Sequence, residues 1–171
     1  MPTLRLTTHT SGPTLQVAAA DGRTVDVLRS QFRCLLRLTN TLLPRDALID
    51  TGAPLTCFPE TLWQPLRAGV DFEWLSFDSA AVPPVARMAG WSYTFRMARF
   101  LTPVTLMDYT TSVDRPGVIA AFATGNPPSA TLTKALPPVA IGLWGGLLDG
   151  GRLAIDRNPA TGQVAGELGF A

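Results

Sequence analysis

Apolar and polar residues alternate through the first third of the chain. Thr3-Leu4-Arg5-Leu6-Thr7 puts an apolar side chain at every second position, the period of a half-buried strand. Leu15-Gln16-Val17 repeats the pattern across a Ser11-Gly12-Pro13 turn. Thr24-Val25-Asp26-Val27 repeats it again after Asp21-Gly22, a hairpin signal. Phe32 to Leu38 reads as the next strand and Thr39 to Arg45 as a loop. Ala47-Leu48-Ile49 then forms a short, wholly apolar run. The strands on either side of that loop are expected to pair as a hairpin that ends at Asp50.

The period changes after Pro59. Pro59-Glu60-Thr61-Leu62-Trp63 starts like a helix, with proline tolerated in the first turn and an early acid. Leu62, Leu66 and Val70 follow at helical spacing and are expected in the core. Asp71 to Pro84 has no clear period; it predicts a loop and one short strand around Phe72 to Phe77. Val85 to Phe95 reads as a hairpin with its tip near Ala89-Gly90. Phe100 to Met107 and Val118 to Phe122 supply further strands, and Gly125 to Ser129 is a loop. Leu153-Ala154-Ile155-Asp156 and Gln163 to Leu168 flank Asn158-Pro159-Ala160-Thr161-Gly162 as a last hairpin. The expectation is a mostly β chain with one or two short helices and no internal repeat.

Composition narrows the function classes. The 171 residues suit one domain, and 46% hydrophobic against 16% charged residues argues against disorder. Fifteen glycines and fifteen prolines imply many turns, in keeping with strands and loops. A net charge of +1 gives no electrostatic reason to expect nucleic acid or an anionic membrane as a partner. Two cysteines, Cys34 and Cys57, are too few for a disulfide framework or a zinc site, and His9 is the single histidine. No metal or cofactor is therefore expected, and Cys57 reads as a small hydrophobe packed behind the Asp50 turn. Met1 to Ala20 lacks the basic start and apolar run of a signal peptide. Ala135 to Leu148, the most apolar stretch, is interrupted by prolines and glycines and is too short to span a bilayer. A cytoplasmic protein is the expectation.

The candidate chemistry lies in Ala47-Leu48-Ile49-Asp50-Thr51-Gly52-Ala53-Pro54. A lone carboxylate leaving an apolar strand is costly to bury unless it is paired or protonated. Gly52 lets backbone approach closely, and Thr51 offers a hydroxyl within the turn. Near the C-terminus, Pro138-Val139-Ala140-Ile141-Gly142-Leu143 is a second apolar run ending in glycine, with Leu147-Leu148 beyond it. The Asp-Thr-Gly turn and the Ile141-Gly142 run together resemble the single-lobed retropepsin family, the retroviral-type aspartic proteases, from about Arg33 to the C-terminus. Asp108-Tyr109-Thr110 and Asp149-Gly150-Gly151 lack the Asp-Thr/Ser-Gly order, so a second such turn is missing from the sequence.

That resemblance implies a closed acid-protease barrel, with residues 31–171 as protease core and 1–30 as an extension of added strands. It implies a homodimeric endopeptidase in which Asp50 of each copy forms a shared-proton dyad acting on a peptide or protein substrate. Thr51 would brace the two turns across the dimer axis, and Gly52 would contact substrate through its backbone. Leu48 and Ala53 would lie along the substrate. Met88, Ala89, Gly90 and Trp91 would form a flap closing over it. Ile141 and Gly142 would be the structural C-terminal motif, followed by a short helix that Gly145-Gly146 weakens. Leu168-Gly169-Phe170 would lie where the family builds its dimer sheet. The retroviral enzymes carry an acid two residues after the motif glycine and an arginine directly after the C-terminal glycine. This chain has Pro54 and Leu143 there, expected to pack together with no orphan charge created. Two other readings remain open: a silent retropepsin fold used for dimerisation or peptide binding, and a small β-barrel ligand binder with a fortuitous motif.

Overall fold

The computed structural model describes residues 1–10, 15–18, 20–27, 30–39, 42–50, 52–75, 85–88, 91–124, 139–161 and 163–171. The alternating N-terminal segments fold as β1 (Thr3–Thr10), β2 (Leu15–Ala18), β3 (Thr24–Val27) and β4 (Ser30–Arg37). The apolar run becomes β5 (Arg45–Ile49), followed by β6 (Cys57–Phe58), a one-turn helix α1 (Glu60–Trp63) and β7 (Phe72–Trp74). Then come β8 (Val85–Met88), β9 (Trp91–Phe100), β10 (Val104–Met107), β11 (Ser112–Arg115) and β12 (Ile119–Thr124). The chain closes with β13 (Val139–Ile141), β14 (Gly151–Arg157) and β15 (Val164–Phe170). The chain is mostly β, as the alternation foretells. The Ser11-Gly12-Pro13 turn and the Gly125 to Ser129 loop lie outside the described residues.

One sheet holds thirteen strands, with the main order β14-β15-β1-β4-β5-β13-β6-β12-β9-β7, while β2 and β3 pair separately. Its two ends, β14 and β7, do not pair, so among the described residues the sheet is open where a closed barrel was expected. The edge of β4 away from β5 is divided. Its first half pairs with β1 through Arg33↔Thr7, and its second half with β10 through Leu36↔Leu106. The sheet branches there. β1 lies between β15 and β4, so the first residues are part of the main sheet and only β2–β3 stands aside.

The core follows from the strand patterns. Leu4 and Leu6 of β1, Cys34 and Leu36 of β4, and Leu168 and Phe170 of β15 are buried at every second position. In β12, Ala120 to Ala123 are all buried, as expected of a strand covered on both faces. Phe122 is the hub of an aromatic cluster. The rings of Phe58, Trp63, Phe72, Trp74 and Phe100 lie 6.0, 5.4, 4.9, 5.7 and 5.4 Å from it, mostly edge-on or tilted. Each such fully buried phenylalanine contributes about 1.5–3 kcal/mol from burial.

Helical spacing after Pro59 yields far less helix than expected. α1 ends at Trp63 because Pro65 has no N–H to continue the ladder, and Leu66 N–H turns back to the Trp63 carbonyl at 2.9 Å. The Asp71 carboxylate then accepts the Arg67 N–H at 2.8 Å, which ties off the turn. Leu66 is buried, but Val70 is 50% exposed and is not a core residue. No helix follows Gly142 among the described residues either. Gly145 takes φ +100°, and a Cβ there would lie 2.0 Å from the Ile119 carbonyl oxygen, whose own N–H bonds the Gly145 carbonyl at 2.8 Å. Pairing with residue 119 replaces helical bonding, and Leu147 is buried without a helix to carry it.

Candidate active site at the Asp50 turn

The hairpin that delivers Asp50 forms as expected, with β4 antiparallel to β5 through Arg33↔Leu48 and Cys34↔Ala47. On its other side β5 runs parallel to β13, Ala47↔Val139 through Ile49↔Ile141. The ladder continues one residue further, as the Asp50 N–H donates to the Ile141 carbonyl at 3.0 Å. The chain then turns. The Ala53 N–H donates to the Asp50 carbonyl at 3.0 Å, and the Gly52 N–H donates to Asp50 Oδ1 at 3.1 Å. This is the local bonding by which a short acid folds backbone around itself. Asp50 is half-buried and Gly52 exposed, so the turn faces outward.

The two motifs interlock. A Cβ on Gly142 would lie 2.3 Å from the Leu55 carbonyl carbon and 2.7 Å from its Cα, so only glycine admits this crossing of main chain. The Gly142 N–H donates to the hydroxyl of Thr56, which is fully buried, at 3.2 Å. Leu143 N–H donates to the Ala53 carbonyl at 3.1 Å, and Trp144 N–H to the Pro54 carbonyl at 2.8 Å. Leu143 and Pro54, the positions where the resemblance implies an acid–arginine pair, are thus each hydrogen-bonded through the main chain to the other's neighbour, Ala53 and Trp144. The side chains of Pro54 and Leu143 do not pack as a buried pair, since both are exposed. Arg115 braces the segment from behind. Its guanidinium donates to the Gly146 carbonyl at 3.1 Å and to that of Asp149, and lies 4.9 Å from the Phe170 ring centre.

Of the residues singled out in the sequence, Leu48, Asp50, Gly52, Ala53, Ile141 and Gly142 come together here, with Leu48 and Ala53 half-buried. Thr51 lies outside the described residues. The β8–β9 hairpin exists, closed by Met88↔Trp91, and hangs from β12 through Thr94↔Thr124. Its tip, Ala89 and Gly90, and the side chains of Met88 and Trp91 lie outside the described residues. β15 is held on both edges, by β1 and β14, so Leu168-Gly169-Phe170 has no edge left for an intersubunit sheet. Sequence reasoning gave no role to the Thr56 hydroxyl, to Arg115, or to Trp144, which is 67% exposed beside the turn. Arg115 and Trp144 carried no local signal in the sequence.

Burial pushes the Cys57 thiol up to about 11, and burial together with the Asp46 carboxylate pushes Cys34 up to about 12, so both stay protonated at neutral pH. Among the described residues, no three of His, Cys, Asp and Glu cluster to hold a metal, and no helix is long and apolar enough to cross a membrane. No family model matches the chain, and neither does any curated protein or any solved structure.

Proposed function

We propose that the chain is an aspartic endopeptidase whose dyad forms from Asp50 of two copies. The observation that carries this reading is the interlock of the two motifs. An aspartate on an outward-facing turn is held by the main chain of an apolar strand ending in glycine, through Asp50 N–H to Ile141 and through Leu55 across Gly142. The main chain of Asp50 and Ala53 is hydrogen-bonded on either side of the turn, and among the described residues the carboxyl accepts from Gly52 N–H. Two of these carboxyls brought together share one proton. The ionised one removes a proton from a water between them as that water attacks the peptide carbonyl, while the protonated one hydrogen-bonds the carbonyl oxygen. The β8–β9 hairpin supplies an element that would close over an extended peptide. Leu48 and Ala53, half-buried along the approach, would contact its side chains.

Leu143 and Trp144 favour a second reading, a silent fold that binds peptide or its own copy. They are 47% and 67% exposed on a rigid segment next to the turn, an apolar surface that binding would cover. Cleavage of a peptide library by the parent and by Asp50→Asn separates the two. The enzyme reading expects cleavage by the parent alone, and the silent reading expects peptide capture by both proteins without cleavage.

A further inference from the structure

The outer edge of β14 is unpaired among the described residues, and its backbone polarity can be worked out. Phe170 N–H donates to the Pro2 carbonyl, on the β1 side of β15, while Ala171 N–H donates to the Gly150 carbonyl. Even-numbered residues of β15 therefore turn their backbone groups toward β1 and odd-numbered ones toward β14. The register Ala165↔Asp156, Glu167↔Ala154 and Gly169↔Arg152 then commits Asp156, Ala154 and Arg152 to the β14–β15 ladder. Leu153 and Ile155 turn their N–H and C=O groups to the free edge. Every β14 side chain is exposed except Leu153, which is half-buried against the core, and Ile155 is 56% exposed.

We propose that this edge pairs antiparallel with the same edge of a second copy, about a two-fold axis passing beside Ala154. That register exchanges hydrogen bonds between Leu153 of one copy and Ile155 of the other, twice over, in agreement with the outward backbone groups. On one face Leu153 then covers Ile155 of the second copy and extends the apolar strip of Leu168 across the axis. On the opposite face Arg152 lies across from Asp156 of the second copy, again twice. Centring the axis on residue 153 sets Arg152 opposite Ala154 and Asp156 opposite Gly150, centring on 155 sets Asp156 opposite Ala154 and Arg152 opposite Asn158, and centring on 152 or 156 sets like charges together. The charge pattern therefore selects one register. Charged residues ordinarily keep an edge strand from pairing, but this arrangement is self-complementary. One strand edge buries less than a stable dimer needs, so the association is reversible and concentration-dependent.

The inference is independent of the Asp50 reading, because four strand pairings separate β14 from β5. Two isologous axes in one chain would carry assembly beyond a dimer. The test uses the full chain in an Asp50→Asn background, where catalysis plays no part. Ala154 faces its own copy in a non-hydrogen-bonded pair, with Cα atoms about 4.5 Å apart, a separation that a disulfide spans. Mild oxidation should give a covalent dimer of Ala154→Cys, none of Arg152→Cys alone, and a heterodimer when Arg152→Cys is mixed with Asp156→Cys. In sedimentation, Arg152→Asp should weaken association at least tenfold, and adding Asp156→Arg should restore it. Ile155→Pro removes an outward N–H and the Ile155 side chain that covers Leu153 of the second copy, while leaving the β14–β15 ladder bonds in place, so it keeps the fold and should also weaken association. Absence of a cross-link at position 154 beyond the parent's background, or association unchanged by Arg152→Asp and Ile155→Pro, overturns the proposal. Neither result bears on peptidase activity.

Discussion

Two aspartates in this chain leave apolar strands in similar ways and end in opposite circumstances. Asp50 follows Ile49 at the end of β5, and Asp108 follows Met107 at the end of β10. Asp108 is saturated. Its Oδ1 accepts from Thr110 N–H and Thr111 N–H at 2.7 and 2.6 Å and from the Thr110 hydroxyl at 3.0 Å; its Oδ2 accepts from Arg5 N–H at 2.7 Å. Partial desolvation raises its pKa, but those four donors outweigh it and hold the carboxyl at about 2. Asp50 accepts from Gly52 N–H at Oδ1, and its turn is held mainly by main-chain bonds and the Gly142 crossing. The first carboxylate is consumed in building a turn. The second takes a smaller part in its turn, through Gly52 N–H, and the turn's main-chain bonds carry the rest, an arrangement that suits the proposed catalytic role.

The comparison breaks first at Gly142. Gly142→Ala forces a methyl into the Leu55 main chain and should destabilise the fold by about 3 kcal/mol or more, read from the denaturant midpoint. Its damage should centre on the Asp50 turn, with amide exchange at residues 52 to 56 accelerated more than at 110 and 111. Equal acceleration at both turns would mean that the interlock does not set the Asp50 geometry.

Asp108→Ala comes next. Removing an acceptor of four hydrogen bonds should cost about 1–3 kcal/mol, with Asp50→Ala costing much less. The same contrast appears in pH. The folded Asp108 carboxyl lies below its ordinary 3.8, so its contribution is present above that value and is lost as pH falls from 3.8 toward 2. Thermal unfolding of the parent should fall through that window more steeply than that of Asp108→Asn. Parallel curves would deny Asp108 its structural role.

Thr56→Val tests the smaller bond between the motifs. It keeps shape but leaves the buried Gly142 N–H without its acceptor, an expected loss of about 1–2 kcal/mol in chemical denaturation. A change below a few tenths of a kcal/mol would remove the hydroxyl from the account.

How legible the chain was in advance depends on the range of the interaction. Alternation located β1, the Asn158 to Gly162 turn located β14 and β15, and an apolar run ending in an acid located β5 and its turn, because strand period and turn chemistry are local. Of the three residues at helical spacing, Leu66 is buried and Leu62 packs against the core, but Val70 is exposed and the helix is short, because the spacing says nothing of Pro65, whose missing N–H ended α1 after one turn. β11 was overlooked, since Ser112-Val113-Asp114-Arg115 carries a single apolar residue. It owes its place to pairing with β10 and to the Thr105 hydroxyl bonded to Asp114 at 2.7 Å. The branching at β4 depends on two strands far apart in sequence sharing one edge, and no local pattern encodes that. At the site, Asp50 and Gly142 were readable as motifs. The Thr56 and Arg115 contacts were not, because they arise only when distant segments meet.

The smallest expected effect on stability, within about 0.5 kcal/mol, belongs to the substitution with the largest expected effect on chemistry. Asp50→Asn keeps an oxygen for the Gly52 N–H and leaves the main-chain turn untouched, so the fold should persist. The most direct measurement is peptide cleavage by the parent and by Asp50→Asn across the acid to neutral range, with unfolding followed on the same samples. The account predicts cleavage by the parent that falls as pH rises and the shared proton is lost, and none by a variant that unfolds at the parental temperature. Cleavage at the parental rate by Asp50→Asn would contradict it.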